Sequence, residues 1–242
     1  MLTQINHWME YANAVIDAFL LLRVLALRLQ RTYLFLTLAC LLNVFFDVIE
    51  LSIAHTSPEG ERTLVYSNLL FAFVFPLAAW DVFEEIPPAL MAFRRSAMLR
   101  ALTSILMVSF FGLLVALPAF NADNPMDIPF LFRLMVVVST GSATGCLTFF
   151  WVMRKAFRVQ KIPFPHNTFV WMMFYGLTLA SQIVIWFIVF VEEALGQPST
   201  GVVGEITETI AALYGITITI WCGWKLKALP KDIPSASLNE PS

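Results

Sequence analysis

The chain alternates long apolar stretches with short polar connections over most of its length. A bilayer core about 30 Å thick is crossed by about 20 apolar residues in a helix. We therefore expect seven membrane-spanning helices, at residues 11–30, 33–54, 64–83, 98–120, 129–152, 168–191 and 202–224. This pattern predicts an all-α, polytopic membrane protein that folds as a seven-helix bundle.

The connections between the predicted spans are too short to hold a second domain. We therefore assign residues 1–229 to one transmembrane domain. Residues 230–242 are rich in proline, serine and charge, a composition typical of disorder. We expect them to form a disordered cytoplasmic tail.

Basic residues recur at every second connection and fix the expected orientation. Apart from Arg62 and Arg133, every Lys and Arg lies at the matching ends of predicted spans one and four or in the segments that follow spans one, three, five and seven. Such connections stay on the cytoplasmic side of a membrane. The pattern therefore predicts an N-terminus outside and a C-terminus in the cytoplasm. Trp8, Trp151 and Trp171 lie near predicted span ends, where tryptophan favours the membrane interface.

Composition supports a membrane protein and excludes one partner class. Apolar residues make up 59% of the 242 residues and charged residues 13%, whereas soluble domains have about 45–50% and about 25%. The formal charge of −2 argues against nucleic-acid binding. The expected partner is the lipid bilayer, with a membrane or cytoplasmic protein as a further option. The sequence has no N-x-[ST] acceptor, which favours a multi-pass protein of a bacterial inner membrane.

Several polar residues fall inside the predicted spans, where an ionisable group costs roughly 2.5–3.5 kcal/mol. Asn43, Asp47 and Glu50 share one face of span two because they are spaced i, i+4, i+7. The candidate ligand- or ion-binding residues are Asp17, Asn43, Asp47, Glu50, Arg133, Gln182, Glu205 and Glu208. Most lie in the outer half of their spans, so they predict an outward-facing acidic cavity for a proton, a metal ion or a cationic organic ligand. The alternative is that these residues lie in the headgroup layer or form pairs that lock helices together.

Other features favour helix packing and surface contacts. Gly141 and Gly145 form a G-x-x-x-G pair, which lets another helix approach closely and offers a face for oligomer formation. Pro76 predicts a kink in span three. Asp81 is expected to pair with Arg23, Arg94 or Arg95, and residues 154–161 are expected to contact anionic lipid headgroups.

The sequence gives little support for cofactor chemistry. The three histidines, His7, His55 and His166, lie at or beyond span ends, so intramembrane haem ligation is not expected. Residues 202–224 contain no lysine. The topology is similar to that of microbial rhodopsins, but the retinal-bearing lysine of their seventh helix is missing. We expect no metal, no cofactor and no catalytic residue, and an enzyme is the least favoured class.

Three functions fit this pattern. The first is a receptor-like or sensory protein that binds a small ligand in the acidic cavity and signals through a separate partner. The second is a proton- or cation-coupled small-molecule transporter that uses Asp47 and Glu208 as a titrating pair. The third is a non-catalytic subunit or assembly factor of a membrane complex.

Overall fold

The computed structural model describes residues 2–53, 57–116, 128–194 and 202–229, which form seven α-helices. These are α1 (Leu2–Ala26), α2 (Leu34–Ser52), α3 (Pro58–Asp81), α4 (Met91–Ala116), α5 (Ile128–Val159), α6 (His166–Ala194) and α7 (Val202–Lys225). Within the described residues, the stretches long and apolar enough to cross a bilayer are Leu34–Ser52, Arg62–Asp81, Pro88–Leu114, Phe130–Val159 and His166–Ile188. The described chain is all-helical, with five candidate membrane spans. The predicted tail at 230–242 lies outside the described residues.

Each predicted span overlaps one helix, but two helices end elsewhere than expected. α1 ends at Ala26 because Arg28 adopts left-handed backbone, with φ of 57°, and a 3-10 turn follows over Leu29–Arg31. α5 continues to Val159, beyond its predicted end at residue 152. The charged segment after Trp151 is therefore helical and not a loop.

One end of the bundle gathers the last turns of α1, α3, α5 and α7 and the first turns of α2, α4 and α6. Arg23 on α1 donates from Nε to the carbonyl of Gly223 on α7 at 3.3 Å. Phe83, just after α3, packs against Phe157 near the end of α5. We call this the basic end, because its described Lys and Arg residues are Arg23, Arg28, Arg31, Arg94, Arg95, Arg100, Arg154, Lys155, Arg158, Lys161, Lys225 and Lys227. The opposite end, with Glu10 and Glu59, is called the acidic end.

Six helices pack side by side in a ring, in the order α1, α2, α3, α5, α6, α7 and back to α1. α4 lies outside this ring against α5. The main apolar core fills the ring toward the basic end and includes the fully buried side chains of Tyr33, Phe83, Phe149 and Trp171. Trp171, which was predicted near a membrane interface, therefore packs in the core and does not contact the surroundings of the bundle. A smaller cluster around Val65, Leu131 and Met135 lies nearer the acidic end.

Glycines on α5 allow α4 to approach closely. A Cβ atom on Gly145 would lie 2.8 Å from the carbonyl oxygen of Ala101 and would collide with Ile105, and one on Gly141 would collide with Ser109. The G-x-x-x-G pair thus packs a helix of the same chain, as small residues commonly do inside membranes. The face predicted for oligomer formation is occupied by α4.

Pro76 lies inside α3 and removes one backbone donor. Its missing N–H is the one that would bond the carbonyl of Ala72, four residues earlier. Ser142 on α5 donates its hydroxyl to this Ala72 carbonyl at 2.6 Å. A neighbouring helix therefore satisfies the group that the proline leaves open, which is how membrane helices tolerate proline.

Candidate functional site

The polar face of α2 points toward the bundle and away from its surroundings. Asn43, Asp47 and Glu50 are each half-buried, whereas Phe45 and Val48 on the same helix are 55% and 57% exposed. The helical period places the three polar residues on one side and the apolar pair on another. The predicted clustering of these three residues on one face of α2 agrees with their burial.

Asp17 and Asp47 bring carboxyl groups from two adjacent helices together. α1 packs against α2 in the ring, and the Asp47 carboxyl is close enough to those of Asp17 and Glu50 to interact with both electrostatically. Like charges at such range repel one another in a medium of low dielectric constant. Three of the predicted site residues therefore form one acidic group between α1 and α2.

One oxygen of this group has no hydrogen-bond partner among the described residues. Asp47 Oδ2 is shielded from solvent and accepts no hydrogen bond from the described part of the chain. A buried carboxylate oxygen without a donor is destabilising, and a bound cation would relieve that cost. Asp47 is therefore the strongest candidate ligand of the group.

α7 leaves open space beside the ring interior at Gly215. A Cβ atom built on Gly215 would have no neighbour within 4 Å. Gly215 lies away from the exposed side of its helix, which carries Ile210, Leu213 and Ile220. Gly215 lies about two turns before Gly223 on α7, and α1 approaches Gly223 through Phe19 and Arg23. The open space therefore lies on the inner side of the ring, about two turns closer to the acidic end than the contact of α1 with Gly223.

Tyr175 lies beneath this level, in the centre of the ring. It is 4% exposed, packs edge-on against Phe75 of α3 with ring centroids 6.1 Å apart, and is within electrostatic range of Asp17. Tyr175 was not among the residues predicted from the sequence, because a tyrosine within an apolar helix is typical of core. The sequence does contain one signal for Tyr175: its spacing from Gln182 and Trp186 places all three residues on one face of α6.

Arg133 and Gln182 lie on α5 and α6, which α3 and α7 separate from the α1–α2 pair in the ring. One turn beyond Gln182, Trp186 packs edge-on against Phe132, with ring centroids 5.9 Å apart. The Trp186 Nε1 atom is buried and donates to no group of the described chain. The predicted residues whose side chains are described thus lie on four helices, α1, α2, α5 and α6.

Glu205 and Glu208 lie in the first two turns of α7. Their side chains are outside the described part of the structure. Their helical spacing from Gly215 puts Glu208 on the same face as the open space, which keeps both acids in the candidate set as predictions.

At the basic end, below the candidate site, the acidic residues have specific hydrogen-bond or ion-pair partners. Asp81, at the end of α3, accepts hydrogen bonds at Oδ2 from the backbone N–H groups of Phe35 and Leu36, the latter at 3.2 Å. These are open donors of the first turn of α2, so Asp81 caps a neighbouring helix. The Tyr33 hydroxyl donates to Glu85 just after α3.

Arg94 binds the end of α3 from the first turn of α4. Its guanidinium forms an ion pair with Glu84, donates to the Trp80 carbonyl at 2.9 Å and lies 3.8 Å from the centre of the Trp80 ring. The arginine is only 2% exposed. Asp81 lies within electrostatic range of Arg94, as predicted, but its hydrogen-bond donors are backbone amides, and the direct ion pair of Arg94 is with Glu84.

The first residues of α6 form hydrogen bonds with the chain at and just after the end of α7. Asn167 donates from Nδ2 to the carbonyl of Lys227 at 2.9 Å and accepts from the Lys227 N–H at 3.0 Å. His166 bonds the Lys225 carbonyl at 2.8 Å. These bonds join α6 to the end of α7, just as those of Asp81 and Arg94 join the end of α3 to α2 and α4.

Among the described residues, no group of three or more His, Cys, Asp or Glu is placed to hold a metal ion. Cys40, Cys146 and Cys222 are buried free thiols. No protein-family model, curated protein or solved structure matches the chain. Arguments about function therefore depend on the geometry of the site.

Proposed function

We propose that this protein is a receptor-like membrane protein that crosses the bilayer seven times and binds a small cationic ligand beside Asp17 and Asp47. The ligand enters from the outside, and the signal passes to a separate partner protein at the cytoplasmic side. The N-terminus lies outside and the C-terminus in the cytoplasm. The proposal treats α1 and α7 as spans in addition to the five candidate spans.

The distribution of Lys and Arg supports this orientation. The described basic residues other than Arg62 and Arg133 lie at the basic end, which is the arrangement of a cytoplasmic face. An epitope tag at the N-terminus should be labelled on intact cells, and one at the C-terminus only after permeabilisation.

The single observation that carries the ligand proposal is the solvent-shielded, unpartnered Oδ2 atom of Asp47. Asp17 and Glu50 add negative potential at the same place, and α7 leaves open space on the inner side of the ring at Gly215. Acidic residues inside a membrane usually have a functional role. A cation that fits the space would neutralise the group and gain from its low-dielectric surroundings.

The hydrogen bonds between helices at the basic end favour a signalling role for this protein over a purely structural one. α1 and α2 carry the acidic group, and their basic-end turns are bonded to α7 through Arg23 and to α3 through Asp81. A ligand that moves α1 relative to α2 would therefore change contacts on the face that meets the partner. Differential binding of the ligand to two arrangements of these helices is what such a switch requires.

Thermal unfolding of the purified full-length protein in mild detergent tests the proposal. The probes are Na⁺, tetramethylammonium and agmatine. At least one should raise the unfolding midpoint, since saturation at about 100 times Kd stabilises by about 2.7 kcal/mol. Asp47→Asn should remove the shift and Glu208→Gln should reduce it. Glu59→Gln, which changes an exposed acid at the acidic end, is the control and should keep it.

Two outcomes contradict the receptor proposal. No shift with any probe would leave the acidic group without a ligand of the proposed class. An equal shift in the wild type and in Asp47→Asn would place binding elsewhere in the protein.

A proton- or cation-coupled transporter is the second candidate, favoured by the proximity of carboxyl groups on two helices. Paired ionisable groups inside a bundle are typical of proton and ion pathways. Proteoliposomes with an imposed pH gradient test this option. A transporter takes up the stabilising probe and loses uptake in Asp47→Asn, whereas a receptor binds the probe without uptake.

A further inference from the structure

The last two turns of α5 present one exposed face that is basic with an aromatic residue at its membrane side. Trp151, Arg154, Lys155 and Arg158 are spaced i, i+3, i+4, i+7 and are all exposed, so they share one side of the helix. Met153, Ala156 and Phe157 on the other side are buried in the main core. We call these four exposed residues the α5 basic face.

The α5 basic face carries charge that the described protein leaves unneutralised. No Asp or Glu occurs from residue 128 to residue 191. Glu84, an acid at the same end of the bundle, is paired with Arg94. Lys155 instead lies 5.6 Å from the centre of the Trp151 ring, a cation–π distance. Three cationic side chains are thus free to meet an anion from outside the chain.

The end of α5 is fixed, so this face is preformed. Lys161 adopts left-handed backbone with φ of 52°, its N–H bonds the Arg158 carbonyl at 3.2 Å, and the N–H of Ile162 bonds the Phe157 carbonyl at 3.1 Å. This is the Schellman arrangement that closes a helix. Phe164 then stacks on Phe157 with ring centroids 4.2 Å apart, which holds the chain after the helix against the core.

The length of α5 places this face in the headgroup layer. The helix has 32 residues and is about 48 Å long at 1.5 Å per residue, whereas the hydrocarbon core is about 30 Å thick. Trp151 has the amphipathic ring that favours the interface, and Arg158 lies about 10 Å farther along the axis. The bases therefore reach the depth of phospholipid phosphates.

We propose that the α5 basic face binds the headgroup of an anionic phospholipid. The Arg154 and Arg158 guanidinium groups provide paired donors for phosphate oxygens, Lys155 adds a third positive charge, and Trp151 packs at the level of the glycerol backbone. An acidic protein segment would match the charge as well. The tryptophan and the depth of the bases favour the lipid.

Native mass spectrometry of the full-length protein in mild detergent tests this assignment, with added phosphatidylglycerol and phosphatidylcholine. The wild type should bind phosphatidylglycerol more tightly. The R154Q/K155Q/R158Q variant should lose at least about tenfold in that affinity, because each base near an anionic surface contributes about 1 kcal/mol, or about fivefold. The control R31Q/R95Q/R100Q removes the same charge from exposed positions at the same end and should change affinity less than about twofold.

A second variant distinguishes a loss of lipid binding from a folding defect. R154K/R158K keeps the charge and should retain most of the affinity for phosphatidylglycerol. Equal losses in both glutamine triples, or no preference of the wild type for phosphatidylglycerol, would overturn the proposal. A glutamine triple that keeps its lipid affinity but no longer binds a glutamate-rich peptide would show a protein-docking face instead, and would also overturn it. The cation-induced shift in unfolding midpoint should persist in the triple, which separates this test from that of the proposed function.

Discussion

The acids at the basic end and the acids inside the ring have opposite surroundings. Asp81, Glu84 and Glu85 each have a named partner: two backbone amides, a buried arginine and a tyrosine hydroxyl. Asp47 is half-buried on α2, yet its Oδ2 atom is shielded from solvent and has no donor in the described chain. Sequence position alone does not distinguish these groups. The difference separates acids that stabilise the fold from acids that are available to a ligand.

Removal of Arg94 should have the largest effect on stability. Arg94→Ala deletes the ion pair, the bond to the Trp80 carbonyl and the cation–π contact, and it leaves Glu84 unpaired. We expect a loss of about 3 kcal/mol in the free energy of unfolding, the low end for breaking a buried pair because Glu84 is partly exposed. Reversible unfolding in mixed micelles measures it. Arg95→Ala, at an exposed neighbour, should cost less than about 0.5 kcal/mol, and equal losses would refute the special role of Arg94.

Substitutions at two glycines of α7 test the packing at the basic end and inside the ring. A Cβ atom on Gly223 at the basic end would lie 2.7 Å from Cε1 of Phe19, whereas one on Gly215 meets open space. Gly223→Leu should therefore cost about 2 kcal/mol through overpacking, and Gly215→Leu should leave the unfolding midpoint unchanged or higher. Gly215→Leu should nevertheless weaken probe binding by filling the space. A destabilised Gly215→Leu protein would argue against a cavity there.

Neutralising one acid in each region should move stability in opposite directions. Asp81→Leu removes the cap of α2 and should lower the free energy of unfolding by about 1–2 kcal/mol. Asp47→Leu removes a buried oxygen without a donor and should raise it by about 1 kcal/mol, while abolishing probe binding. Such a trade between stability and function is common at binding sites. The comparison fails if both variants are destabilised to the same degree.

The smallest effect concerns the bond from Ser142 to the carbonyl that Pro76 leaves open. Ser142→Ala should cost about 1 kcal/mol in the wild type, because it orphans the Ala72 carbonyl. In a Pro76→Ala background, that carbonyl regains its helical donor, and the same substitution should cost close to nothing. A double-mutant cycle with zero coupling would show that the two residues act independently.

Much of the architecture could be predicted from the sequence because it follows from local patterns. Apolar stretches of span length gave the helices, and alternating bases matched the end at which the helix termini gather. The end of α5 was misplaced because a run such as Arg154 to Lys161 was treated as a polar connection, although Arg and Lys are good helix formers. Trp171 was placed at an interface because its position along the helix says nothing about which side of it faces the core.

Less of the candidate site could be predicted, because it depends on contacts between helices. The shared face of Asn43, Asp47 and Glu50 is a matter of spacing within one helix. The approach of Asp17 to Asp47 depends on the register between α1 and α2, which no local pattern contains. Asp81 was assigned an arginine partner because sequence reasoning pairs charges and has no means of identifying an open backbone amide on another helix.

The bond between Ser142 and Ala72 also bears on how the chain is made. Pro76 is synthesised 66 residues before Ser142, so at about 5–20 residues per second the two are separated by roughly 3–13 seconds. During that interval α3 carries a carbonyl that neither the lipid nor its own backbone can satisfy. Insertion of α5 ends this condition, and we expect α3 to stay with the insertion machinery until then.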